Sequence, residues 1–176
     1  MKKMGFFRRI DDLGRIVIPK EIRKNMRIKS GDTLEICLKN NDIVLKKYSM
    51  ISNISSLAQE LTDSMNIFTK HNIIITDKYQ IVACSGPLKS KIVNKPISSE
   101  IIEKISRREQ IFQNHFKELY IVDEKKFNCS YLNIPIVVDE EVIGLIMIIS
   151  EDEKVSEYEM KISQIVSSFI SKYLVE

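Results

Sequence analysis

The first 50 residues constrain this chain more than any other stretch, because they combine a strong positive charge with too little length to bury a core alone. They hold 8 Lys and 5 Arg against 4 Asp and 2 Glu, a net charge of +7, while residues 51–176 carry −4. A piece of about 50 residues ordinarily needs a metal, disulfides or a second chain to cover its apolar side chains. The three cysteines, Cys37, Cys84 and Cys129, are odd in number and form no CxxC pair, so neither a zinc site nor a disulfide framework is encoded. Apolar burial against another copy of the chain remains. The asymmetry of charge points to an anionic partner for the basic part.

Local signals divide the chain into domains at residues 1–50 and 51–176. Phe6–Ile10 and Arg15–Ile18 read as short strands around an Asp11-Asp12-Leu13-Gly14 turn, with Gly14 suited to positive φ. Pro19 starts a helix that runs to about Arg27. Leu34, Ile36 and Leu38 alternate with Glu35, Cys37 and Lys39 as a half-buried strand, and Ile43–Tyr48 returns after a turn at Asn40-Asn41-Asp42. The first module is therefore β-β-α-β-β. After a polar joint at Ser49–Ser55, Ile54, Ala58, Leu61, Met65 and Phe68 form a heptad-like seam.

The remainder reads as α-β-β-α-β-β-β-α. It has strands at Ile73–Thr76, Gln80–Cys84, Glu118–Val122, Ile134–Val138 and Val142–Ile149. A capping box, Ser156-x-x-Glu159, opens a last helix with Ile162, Ile165, Val166, Phe169 and Tyr173 on one stripe. The fold class is α+β, with a mostly antiparallel sheet flanked by helices and the first and last helices of this part side by side.

The chemistry sits in residues 8–27. At 100° per residue, Lys20, Arg23, Lys24 and Arg27 share an arc of about 100° on the Pro19 helix, with Ile22 and Met26 opposite. Arg15 follows Gly14 and projects from the tight turn, while Arg8 and Arg9 are neighbours on a strand and face opposite sides. Strand, turn and helix thus all supply cations, and double-stranded DNA or RNA is the target such an array fits. No Gly-rich phosphate loop, HExxH or nucleophile elbow occurs, so no enzyme, cofactor or metal site is expected. His71 and His115 stand alone, and the acidic clusters Asp139-Glu140-Glu141 and Glu151-Asp152-Glu153 read as solvated turns. With no signal peptide and no apolar run long enough to span a bilayer, a cytoplasmic, nucleoid-associated protein without membrane contact is expected.

The run GFFRRIDDLGRIVIPKEIRKNMRIKSGDTLEICLKNNDIVLKKY resembles the DNA-binding domain of AbrB-type transition-state regulators of spore-forming bacteria. The arginine pair, D-x-LGR-x-VIP, E-x-R-[RK] and the closing LKKY carry the likeness. IPIVVDEEVIGLIMIIS resembles a GAF-like hairpin. The first resemblance implies a swapped-hairpin β-barrel in which two chains interleave, and DNA contacts at Arg8, Arg15, Arg23 and Lys24 with Arg9 close by. Lys24 stands where the family often has arginine, which keeps the charge and loses the planar fork. The resemblance also implies a homotetramer, a dimer of dimers joined by the C-terminal domains. Its role would be activation and repression of sporulation genes, and the GAF-like domain would have room for an unknown small-molecule effector. An antitoxin-like protein, with an extended toxin-wrapping C-terminal segment, is the alternative.

Overall fold

The structure, a computed structural model, describes residues 5–123 and 125–175. It separates into two compact units, Met1–Tyr48 and Ser49–Glu176.

In the first unit Pro19 (φ −55°) caps helix α1, Lys20–Asn25. The helix stops earlier than expected. Arg27 turns to φ 51° and the Ile28 N–H reaches back to the Arg23 carbonyl at 2.7 Å, using a carbonyl the helix end would leave open. Strands β1 (Leu34–Lys39) and β2 (Asp42–Lys47) pair antiparallel, with Ile36 opposite Leu45 and Leu38 opposite Ile43. Asn40 and Asn41 both take positive φ, the two-residue turn whose twist matches the strands it joins.

The strands expected at Phe6–Ile10 and Arg15–Ile18 do not form within one chain. Among the described residues the one ladder-like bond between them runs from the Asp11 N–H to the Arg15 carbonyl, 3.1 Å. A strand needs a neighbour's backbone, and among the described residues of this unit the one sheet is the two-stranded β1–β2 hairpin. The apolar side chains are left open accordingly. Phe7 is 95% exposed, Leu38 is 80% exposed, and Ile10, Leu13, Ile16, Val17, Ile36 and Ile43 are exposed as well.

The second unit is built on a five-stranded antiparallel sheet of order β4-β3-β7-β6-β5. Its elements are α2 (Met50–Asn53), α3 (Ser55–Thr69), β3 (Asn72–Asp77), β4 (Ile81–Ser85), α4 (Lys89–Ile92), α5 (Ser99–Arg107), β5 (Ile111–Val122), β6 (Lys125–Val138), β7 (Glu141–Ser150) and α6 (Glu157–Tyr173). Relative to the sequence expectation, β5 and β6 are much longer and meet as a long hairpin. One sheet face packs Ile74, Leu145, Met147 and Ile149 under Ile92, Ile101 and Ile105 from α4 and α5. The other packs Ile73, Ile75, Ile146 and Ile148 under Ile51, Ala58, Met65 and Ile170 from α2, α3 and α6. The expected capping box is present: Ser156 Oγ accepts from the Tyr158 N–H, and Glu159 Oε2 accepts from the Ser156 N–H at 2.8 Å.

Gly144 shows how tightly this sheet closes. A Cβ there would overlap the Thr76 carbonyl oxygen and sit 2.5 Å from Ile51 Cδ1. The obstacle is the backbone of the adjacent strand, which cannot swing away. Gly144→Ala is expected to destabilise this unit by about 3 kcal/mol, the upper range for overpacking. Urea unfolding of the full chain checks this, as a lower midpoint for the main transition.

Candidate nucleic-acid interface

All five cations expected to touch nucleic acid, Arg8, Arg9, Arg15, Arg23 and Lys24, lie in the first unit, and all are exposed. The turn that carries Arg15 is organised by one carboxylate. Asp11 Oδ1 accepts the Leu13 N–H at 3.0 Å and the Arg15 N–H at 2.8 Å, while the Asp11 carbonyl accepts the Gly14 N–H at 2.9 Å. The chain turns through Gly14 at φ 75°, a conformation that favours glycine. Asp11 Oδ2 then takes the Arg15 Nε–H at 2.8 Å. The Arg15 backbone N–H, and after it the Arg15 guanidinium, hold the Asp11 carboxyl below its ordinary value.

Arg23 and Lys24 are consecutive on α1, where Glu21 is the one acid of the first turn. Neither has a carboxylate partner among the described residues. Other cations of the unit are used internally: Lys46 pairs with Glu35 at 3.0 Å. Lys47 Nζ donates to the Arg27 carbonyl at 2.6 Å and lies 3.7 Å from Asp32. Arg8 Nη1 donates to the Phe7 carbonyl at 2.9 Å, leaving the rest of its guanidinium outward. Structure therefore sorts the basic residues into some that brace the module and others that face solvent uncompensated. The sequence reading missed Asp11's part, taking it only as a turn former. Its signal was there: Asp four residues before Arg, with Gly between them, lets one carboxylate span the turn.

Among the described residues the second unit contributes no basic array of this kind. Its cysteines are inert core residues: Cys84 and Cys129 lie in the same apolar cluster, and burial pushes both thiols up to about 12. His71 is buried 3.6 Å from Glu159, while His115 is exposed on β5. Among the described residues no group of His, Cys, Asp and Glu is placed to hold a metal ion, and no helix is long and apolar enough to cross a membrane. The unit also exposes apolar side chains on its helices. Phe68 on α3 is 72% exposed and Ile165 on α6 is 69% exposed, with Phe169 and Tyr173 continuing the α6 stripe.

The second unit has the fold of GAF domains. It resembles the GAF domain of an Acinetobacter phosphoenolpyruvate-protein phosphotransferase with a TM-score of 0.58 at 13% identity, over 74% of this chain and 84% of that one. It also resembles residues 122 to 287 of a methyl-accepting chemotaxis protein with a TM-score of 0.56 at 12% identity, over 70% and 90% of the two chains. The chain thus joins a small module with exposed arginines to a domain of GAF-type fold.

Sequence comparison gives the particular family. Residues 53–175 match the family described as stage V sporulation protein T C-terminal, transcription factor, and residues 7–52 match the antidote-toxin recognition MazE, bacterial antitoxin family. Stage V sporulation protein T of Bacillus subtilis (strain 168) is 36% identical over 99% of both chains. The transition state regulatory protein AbrB of the same organism is 48% identical over 27% of this chain and 50% of its own length. The chain belongs to the stage V sporulation protein T family.

Proposed function

We propose that this protein binds double-stranded DNA sequence-specifically and regulates transcription of sporulation genes, activating some and repressing others. Arg8, Arg9, Arg15, Arg23 and Lys24 make the contacts. The observation that carries the reading is the coincidence, within one 48-residue unit, of exposed cations with a large uncovered apolar surface. A second chain covers that surface by completing the strands that Phe6–Ile10 and Arg15–Ile18 leave unpaired, giving a swapped-hairpin barrel with two sets of cations. The α3 seam is spent largely on its own sheet through Ala58 and Met65, so exposed Ile67 and Phe68 of α3, with the exposed stripe of α6, join two such pairs into a tetramer. The protein works in the cytoplasm, on the nucleoid.

Salt dependence tests the DNA reading. Two chains present about ten cations, so log K against log salt is expected to fall with a slope approaching about −9 for a short duplex. Binding that is absent, or indifferent to salt, overturns it.

Two further roles bear on the second unit. An antitoxin would need an extended, partner-wrapping tail there, whereas residues 49–176 hold a packed sheet with two apolar cores. A small-molecule effector is favoured by Asn133, fully buried opposite Met147 on the α5 side of the sheet, with neither carboxamide atom hydrogen-bonded among the described residues. An orphan buried amide is costly, so a rearrangement that satisfies it would be favoured by a ligand binding the two states unequally.

A further inference from the structure

Arg15 is held at two levels, by its backbone and by its side chain, and both lead to one residue. The Asp11 carboxylate uses Oδ1 for the Leu13 and Arg15 N–H groups and Oδ2 for the Arg15 Nε–H. Taking Nε leaves Nη1 and Nη2 with no hydrogen-bond partner among the described residues. Those two nitrogens form the end-on fork that matches O6 and N7 of guanine in the major groove. A free arginine side chain samples many rotamers and loses that freedom on binding, whereas a fork already clamped from behind loses less. The clamp also carries a charge cost. A carboxylate at a DNA-facing turn repels phosphate, so it lowers affinity for every sequence alike. A residue that weakens general attraction while fixing one guanidinium is arranged for discrimination.

We propose that Asp11 is a positioning residue for base reading, clamping Arg15 so that its outer nitrogens meet a base edge in a fixed orientation. This rests on the reading that Arg15 contacts the duplex, and it adds that the contact is to a base and that Asp11 sets sequence discrimination rather than affinity.

Asp11→Asn separates the clamp from the turn. The asparagine carbonyl still accepts the Leu13 and Arg15 N–H groups, but its NH₂ cannot accept from Arg15 Nε. The probes are a duplex selected by the wild-type full-length chain from a random-sequence pool, and a scrambled duplex of the same composition and length. The ratio of the two affinities is expected to fall about fivefold or more in Asp11→Asn, within the range of one bidentate base contact. Affinity for the scrambled duplex stays the same or rises, and the melting temperature does not change. In an Arg15→Ala background the same Asp11→Asn change moves the ratio by less than about twofold, because the clamp has nothing left to hold.

Equal gains in affinity for both duplexes, with the ratio preserved, would show Asp11 to act by charge alone and overturn the proposal. So would an undiminished fall of the ratio in the Arg15→Ala background, which would assign Asp11 to the turn. If Arg15→Ala itself leaves both affinities at wild-type values, Arg15 does not touch DNA, and the contact assignment fails together with the clamp. If Arg15→Ala weakens binding to both duplexes equally, Arg15 is a phosphate contact and only the clamp's reading role fails.

Discussion

Leu38→Asp is expected to halve the mass of the particle in solution, from four chains to two, and to abolish duplex binding. In a single chain this would be an innocuous change. Leu38 is among the most exposed apolar residues of the first unit, and substitutions at open surface positions ordinarily move stability by about 0.5 kcal/mol or less. The expectation reverses once the hairpin's face is considered. Leu34, Ile36 and Leu38 of β1 stand beside Leu45 and Ile43 of β2 in register, a continuous apolar surface on one side of a two-stranded sheet. An isolated hairpin with such a face is at best marginally stable in water. Covering a leucine contributes about 1.5–3 kcal/mol, and the symmetric partner contributes the same again. A carboxylate forced into that interface unpaired costs several kcal/mol more per copy. Together these exceed about 5 kcal/mol, comparable with the whole stability of a domain this small. The pair comes apart, and with it the duplicated array of cations. Chains still joined through α3 and α6 remain as dimers. Light scattering and duplex titration read the two effects separately. A variant that keeps four-chain mass and wild-type binding would show that nothing covers this face.

The same hairpin shows where sequence reading succeeds and where it stops. Alternation at Leu34–Leu38 and the Asn40-Asn41 turn foretold β1 and β2, because both signals are local. The Pro19 start of α1 and the Ser156-Glu159 box at α6 were legible for the same reason. Phe6–Ile10 and Arg15–Ile18 have strand-like sequences, yet a ladder is a relation between two segments, and among the described residues neither is paired into a sheet. Lys125–Asn133 failed in the opposite way. Its lysine, asparagine and serine residues hide a strand that exists because β5 and β7 flank it. On α6 the apolar stripe was found and its Ile162 and Val166 do pack against the core, but Ser163, Ser167 and Ile170 are buried more deeply. Small polar side chains let a helix approach closely, which hydrophobic periodicity does not register. Of the candidate interface, a cluster of exposed cations was legible from the charge pattern, while the assignment of particular residues to DNA came from the family resemblance. The carboxylate behind Arg15 was not legible, since its role depends on Oδ2 reaching back across the turn.

Arg23→Ala is expected to lower affinity for the selected duplex about a hundredfold, with little change in thermal stability. Its side chain leaves α1 without a carboxylate partner among the described residues, so its removal frees no buried charge and empties no cavity. The loss is all on the binding side. One arginine contact to a base or phosphate contributes about 1–3 kcal/mol, and a paired barrel presents Arg23 twice. Two losses of about 1.4 kcal/mol make the hundredfold. Arg23→Lys then identifies what is touched. Lysine keeps the charge but replaces the planar fork with a single ammonium. If Arg23 lies against phosphate, the lysine variant retains most of the affinity and the full salt slope. If it reads a base, the lysine variant behaves like alanine on the selected duplex while keeping the wild-type slope on the scrambled one. Wild-type affinity in Arg23→Ala would remove α1 from the interface. The outward arginines would then need another partner, since the acids within α1 are too few to balance them.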